Sequence, residues 1–179
     1  MFDVTRQALG LQVARFTFRK VPKRVIVFTS ALSTAKRALL IMPFDDQEGI
    51  PTGLVLSMLR RMYGDNNLTV VMNSHLLKVE RSLPQSKFIF LTPADLNALF
   101  LPRRHILQQI QQDSYDVAVD LNLDLVLASA YICKASAAHV RVGFVSKQAD
   151  IFYNLQIKPD PTLSKKLIYD RLATCLQMF

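Results

Sequence analysis

From residue 37 to the end of the chain, short apolar runs alternate with segments of helical periodicity, and this alternation restricts the fold more than any other feature. Ala38-Leu-Leu-Ile-Met42, Leu68-Thr-Val-Val-Met72, Lys87 to Leu91, Asp116-Val-Ala-Val-Asp-Leu121 and His139 to Val142 suit buried strands. After the first run, Pro51 can open a helix with an apolar stripe of Leu54, Val55, Met58, Leu59 and Met62, and Gly64 can end it. A short helix is predicted near Ser74 to Arg81. Thr92-Pro93-Ala-Asp95 starts another, with a capping hydroxyl and proline at the first helical position; it breaks at Pro102 and resumes to about Gln112. Leu123–Ala135 is predicted helical. Asp160-Pro161-Thr162 leads a closing helix with Ile168, Leu172, Cys175, Leu176 and Phe179 on one side. Strands separated by helices imply an α/β fold with a single doubly wound, mostly parallel sheet. The expected strand order is 3-2-1-4-5, with Leu39–Met42 central.

Composition narrows the class. Half the 179 residues are hydrophobic and 20% are charged, which excludes a disordered chain. No run approaches the roughly 20 apolar residues that span a bilayer. Arg15, Arg19, Lys20, Lys23 and Arg24 stand where a secretory signal needs an apolar region. Cys133 and Cys175 fall inside apolar helical patterns, as buried reduced thiols do, and this points to the cytoplasm. His75, His105 and His139 are scattered without metal-ligand or triad spacing, so neither a metal nor another cofactor is expected.

The net charge of +8 is concentrated at one end. Residues 1–37 hold eight Lys/Arg against one acid, Asp3, whereas residues 38–179 hold fourteen against thirteen. The division expected is a basic N-terminal extension, 1–36, and an α/β domain, 37–179. Such an arm suits an acidic partner, either anionic lipid headgroups or nucleic acid. Aromatic residues do not interleave with basic ones as in nucleic-acid modules, so lipid is preferred. The arm's pattern is untidy, however. Leu9, Val13 and Phe16 share one helical face while Leu11 and Phe18 lie on the opposite one, and a membrane-surface helix shows a single stripe. An arm packed on its own domain, with its basic residues in water, is therefore the favoured expectation, and a lipid-bound arm the other.

In a doubly wound sheet, ligands bind beyond the carboxyl ends of the strands. There the first strand feeds Pro43-Phe-Asp45-Asp46-Gln47-Glu48-Gly49. Three carboxylates in four positions repel phosphate, so this is no dinucleotide or phosphate cradle. They suit a general base acting on a hydroxyl, a divalent cation, or simply a solvated loop whose acid caps the next helix. Asp120 and Asn122 end the fourth strand, placed either to reach a ligand or to cap the following helix. Arg103-Arg104 and Lys165-Lys166 read as solvated helix faces unless they converge on the cleft.

Leu39-Leu-Ile-Met followed by Thr52, Leu56 and Leu59-Arg-Arg-Met-Tyr63 is similar to the opening strand, loop and helix of family 9 glycosyltransferases, the heptosyltransferase-type enzymes. Ser114-Tyr-Asp116-Val-Ala-Val-Asp120-Leu-Asn122 resembles the family's Tyr-Asp-x-x-(Ile/Val)-Asp-Leu-Gln/His strand motif. Ser129-Ala130, Arg141-Val-Gly143-Phe144, Tyr153-Asn154 and Asp170-Arg171-Leu172 resemble later landmarks in order. The resemblance covers residues 37–179.

It implies one Rossmann-like half of a two-domain GT-B architecture, the N-terminal half that faces the acceptor sugar. A carboxylate in the first loop takes a proton from the acceptor hydroxyl, while the other half binds the nucleotide-sugar donor. The family's catalytic aspartate falls on Glu48, with Asp46 as fallback, and its preceding glycine on Gln47. The histidine expected four residues before Arg171 is Leu167. The sequence given ends at Phe179, where the donor half would follow. The resemblance therefore implies an acceptor-side domain of bacterial lipopolysaccharide or glycan assembly, inactive alone, whose partners would be a glycan or lipid-linked acceptor and a donor-domain chain or second copy. The alternative is a non-catalytic binding protein derived from that family. Asp120 and Asn122 are the candidate acceptor-binding residues, and a site at the inner membrane's cytoplasmic face is expected.

Overall fold

The structure, a computed structural model, describes residues 2–19, 25–44, 53–73 and 78–178. Its centre is a six-stranded parallel sheet formed by β1 (Ala38–Ile41), β2 (Leu68–Met72), β3 (Lys87–Phe90), β4 (Val117–Asp120), β5 (Val140–Phe144) and β6 (Leu155–Ile157). The spatial order is β3-β2-β1-β4-β5-β6, so the expected order holds and a sixth strand extends the β5 edge. Only three half-buried residues form β6, too few for a periodicity to show.

Helices cover both faces: α1 (Phe2–Phe18), α2 (Phe28–Ser33), α3 (Gly53–Tyr63), α4 (Lys78–Ser82), α5 (Arg104–Gln111), α6 (Leu127–Ala135) and α7 (Lys165–Gln177). This double cover explains the apolar run of β1 and the largely apolar run of β2, broken only by Thr69, where every residue is buried. Successive side chains still go to opposite sides. Leu40 joins Leu56, Leu59, Ile168 and Leu172 in the core under α3 and α7. Leu39 and Ile41 join Ile106, Ile110, Ala128 and Ile132 in the core under α5 and α6.

The basic N-terminal segment is helical, and α1 packs on that second core. Ala14 is fully buried, and Leu11 and Phe18 pack beside it. The Phe18 ring lies 4.8 Å from that of Tyr131 on α6. Gly10 allows the close approach, because a Cβ there would overlap the Leu99 carbonyl oxygen. Further along the contact, Arg6 donates from Nε to the Ala98 carbonyl at 2.6 Å.

Several helix boundaries differ from expectation, each for a local reason. At Thr92 the expected helix is one 3-10 turn, Pro93–Asp95. Asn97 ends it: its side-chain oxygen accepts from Leu99 N and Leu101 N, folding residues 96–102 into a tight loop with Phe100 at φ 59°. The helix proper begins at Arg104. The last helix is capped by Ser164, whose Oγ accepts from Leu167 N, while Asp160 closes a preceding turn by accepting from Thr162. Helix α6 begins at Leu127, four residues after the expected start. Of the short helix expected near 74–81, residues 74–77 lie outside the described ones, as do Pro51 and Thr52.

Candidate functional site

The motif residues of β4 bracket the central strand at both ends. At the amino end, Asp116 Oδ2 accepts from Lys36 N at 2.8 Å and Arg37 N at 3.0 Å, fixing where β1 enters the sheet. At the carboxyl end, Asn122 Oδ1 accepts from Phe44 N at 3.0 Å, and its Nδ2 faces the Met42 carbonyl at 3.4 Å. Phe44 is the last described residue before the acidic loop. The root of that loop is therefore held by β4.

Asn122 is in turn held by Asp120. Asp120 Oδ1 accepts from Asn122 N at 3.0 Å and Nδ2 at 2.7 Å, and Oδ2 accepts from the Tyr153 hydroxyl at 2.7 Å. Asp120 is 1% exposed and Asn122 6%. Burial pushes the Asp120 carboxyl above its ordinary value, and the hydrogen bonds from Asn122, Tyr153 and Ser129 act against that rise. Tyr153 is pushed upward as well, by burial and then by the charge on Asp120. The Cys133 thiol nearby is raised well above its ordinary value, chiefly by burial, so it stays protonated and unreactive.

The later landmarks belong to the same assembly. Gly143 of β5 leaves room for the Tyr153 ring, which a Cβ would meet at 2.6 Å. Arg141 donates to the Phe152 and Ala138 carbonyls at 2.9 and 2.6 Å. Asn154 bonds the backbone on both sides, accepting from Arg141 N at 2.7 Å and donating to the His139 carbonyl at 2.8 Å. Together these fix the segment that delivers Tyr153 to Asp120. Sequence reasoning attached no role to Asp116, Tyr153 or Gly143, because their partners lie 10 to 80 residues away in the chain.

Beside this assembly a small cleft opens at the carboxyl end of β1 and β4, lined by Pro43, Asn122, Asp124, Lys165 and Tyr169. The Tyr169 hydroxyl donates to the Leu121 carbonyl at 2.8 Å and ties α7 to this edge. Of the basic pairs, Lys165 reaches the cleft, whereas Lys166 pairs with Asp170 at 3.0 Å and Arg103 donates to the Leu96 carbonyl. Asp46 and Glu48, with Asp45, lie outside the described residues, as does His75. His105 pairs with Asp95 at 2.8 Å, and no group of three or more His, Cys, Asp or Glu among the described residues could hold a metal ion. No described helix is long and apolar enough to cross a membrane.

No family model matches the chain, and no curated protein matches it significantly. Solved structures do. A family 9 glycosyl transferase from Veillonella parvula DSM 2008 matches 80% of this chain with a TM-score of 0.60 at 16% identity. Escherichia coli heptosyltransferase WaaC with ADP matches 78% with a TM-score of 0.54 at 15% identity. The same enzyme with ADP-2-deoxy-2-fluoro heptose matches 80% with a TM-score of 0.51. The matched region is 42%, 46% and 49% of those chains respectively, so this chain spans less than half the length of each. At these identities the likeness is one of fold: the chain shares the Rossmann-like α/β fold found in a family 9 glycosyl transferase and a heptosyltransferase.

Proposed function

We propose that this chain is the acceptor-side domain of a heptosyltransferase-like GT-B enzyme, acting in lipopolysaccharide or related glycan assembly. One observation carries the reading: about 80% of this chain matches less than half of each of these glycosyltransferases in fold, and three of the resembling motif residues, Asp120, Asn122 and Tyr153, meet at the carboxyl end of the sheet. In this reading Glu48, or Asp46 in its place, takes the proton from an acceptor hydroxyl as that oxygen attacks the donor sugar. Asn122 lines the acceptor cleft, and Asp120 acts through it by holding the loop root in place. A partner chain, a second copy or a further stretch of chain would supply the donor site. Catalysis needs groups that hold the departing pyrophosphate, and an acidic loop is unsuited to that. The domain would work in the cytoplasm, peripheral to the inner membrane. A non-catalytic binding protein of the same descent is the second reading, favoured by Gln47 and Glu48 standing where the family has glycine and aspartate.

Titration of the purified chain with ADP- and UDP-sugars, and separately with lipopolysaccharide core oligosaccharides, tests the proposal. Oligosaccharide binding is expected, with no sugar-nucleotide binding tighter than roughly millimolar. Micromolar binding of a sugar nucleotide would overturn the acceptor-side assignment. Once a donor-side partner is found, Glu48→Gln should cut turnover by roughly 10²–10⁴. Unchanged turnover would exclude Glu48 as the base, and absence of turnover with any donor-side partner would leave the non-catalytic reading.

A further inference from the structure

Helix α1 carries two apolar faces, and its own domain uses only one of them. Gly10, Leu11, Ala14 and Phe18 face α6 and the 96–102 loop. At about 100° per residue, Leu9, Val13 and Phe16 fall within one narrow arc nearly opposite that face. They are 54%, 44% and 75% exposed. Single exposed apolar residues are ordinary, but a row of three on one helix face marks a contact surface. This resolves the untidy pattern in the sequence: a helix with one stripe inward and one outward has two partners.

The charge around the outward stripe identifies the second partner. Arg15 and Arg19 border Phe16 and Val13 on the same surface. Lys20, Lys23 and Arg24 follow directly in sequence. The single acid of residues 1–37, Asp3, already pairs with Arg6 at 3.4 Å. A second copy docked by two-fold symmetry would set these arginines against themselves. Nucleic acid would meet the arginines but has no use for an exposed Leu-Val-Phe row. A bilayer with anionic headgroups satisfies both, taking the apolar side chains into the headgroup–acyl boundary and the guanidinium groups at phosphate level.

We propose that the outward stripe of α1, Leu9, Val13 and Phe16, flanked by Arg15 and Arg19, docks the domain on an anionic lipid surface. This rests on the peripheral-membrane part of the function proposed above and assigns the residues that perform it. The stripe begins beside the carboxyl end of the sheet, where Gly10 meets Leu99 and Leu127, the first residue of α6.

Sedimentation of the full chain with phosphatidylcholine vesicles, with or without phosphatidylglycerol, tests the proposal. The wild-type chain should bind only the phosphatidylglycerol-containing vesicles and detach as salt shortens the screening length. Changing Leu9, Val13 and Phe16 together to Ser should weaken that binding by about tenfold or more without lowering the melting temperature, since all three are solvated. Arg15→Gln with Arg19→Gln should weaken it and flatten its salt dependence. Equal vesicle binding by the triple variant and wild type would overturn the assignment. So would a wild-type dimer that the triple variant dissolves, or binding to duplex DNA that the triple variant keeps while vesicle binding is absent. Core-oligosaccharide binding by the triple variant should be unchanged. Loss of vesicle binding and loss of acceptor binding are thus separate outcomes, one for this face and one for the proposed function.

Discussion

The carboxyl end of the sheet is built in two different ways on its two sides. Beyond β3, Asp95 Oδ2 accepts from Thr92 N and Thr92 Oγ1 at 2.8 and 2.6 Å, and Oδ1 meets His105. Its partners lie 3 and 10 residues away, and its side chain is 20% exposed. Beyond β4, Asp120 is almost wholly buried and holds Tyr153, 33 residues away, while Asn122 reaches 78 residues back to Phe44. The same side chain is depressed in one place, first by the Thr92 hydrogen bonds, and raised in the other by burial. A local cap stabilises its own turn. A buried carboxylate that joins three distant segments decides how those segments sit relative to one another, and here they include the root of the acidic loop.

The largest effect should come from removing the joint. Asp120→Ala leaves the Tyr153 hydroxyl and Asn122 N without their acceptor in the core, and Asn122 Nδ2 with only the Met42 carbonyl at 3.4 Å, and should cost about 3–5 kcal/mol by urea unfolding. Asp120→Asn keeps an acceptor oxygen of similar shape and should cost far less. If the two variants are equally destabilised, the charge rather than the hydrogen-bond geometry matters. Amide shifts at Phe44 should move in Asp120→Ala, because Asn122 loses the partner that orients it. A silent Phe44 amide would separate the acidic loop from this assembly.

Tyr153→Phe removes one hydrogen bond to a charged acceptor and leaves the ring packed on Gly143, so a loss of about 1.5–3 kcal/mol is expected. On the other side of the sheet, Asp95→Ala should cost about 1 kcal/mol, the typical size of a lost cap, with the loss confined to the 92–103 region in hydrogen exchange. An Asp95→Ala loss that matched the Asp120→Ala loss would erase the distinction between the two sides.

The same contrast of local and distant partners governs how much could be read from the chain. Strands β1, β2 and β4 were legible because burial on both faces writes itself as a largely apolar run, and their order followed from the crossovers. The capping group at Thr92 was legible too, but not the end of its helix, since Asn97 folds the next residues by hydrogen bonds that no periodicity announces. Asp120 and Asn122 were placed at the right end of the right strand by the apolar run Asp116 to Leu121. Their inward hydrogen bonds were not, because Tyr153 and Phe44 reach them only through the tertiary fold. The outward stripe of α1 was visible as a conflict of faces, and only the packing of Leu11 and Phe18 shows which face is left over.

The smallest effect is also the one in which the two aspartates must disagree in sign. The Asp120 carboxyl is raised above 3.8 in the folded chain, so on acidification it takes up its proton before the unfolded chain does. Its contribution to stability is fully present below 3.8 and lost as pH rises through its folded value. The Asp95 carboxyl is depressed below 3.8, so its contribution is present above 3.8 and lost as pH falls through its folded value. Asn titrates at neither position, so wild-type stability measured against each Asn variant isolates one carboxyl. As pH falls from 7 toward 4, wild type should gain on Asp120→Asn, while its margin over Asp95→Asn holds steady. Below that range the second margin should shrink, and the first should level off. Urea titrations of the three proteins at matched ionic strength will show this as two curves of opposite slope. If wild type instead loses ground to Asp120→Asn on acidification, the bonds from Asn122, Tyr153 and Ser129 outweigh burial, and the joint at the end of β4 is held by a stable buried charge.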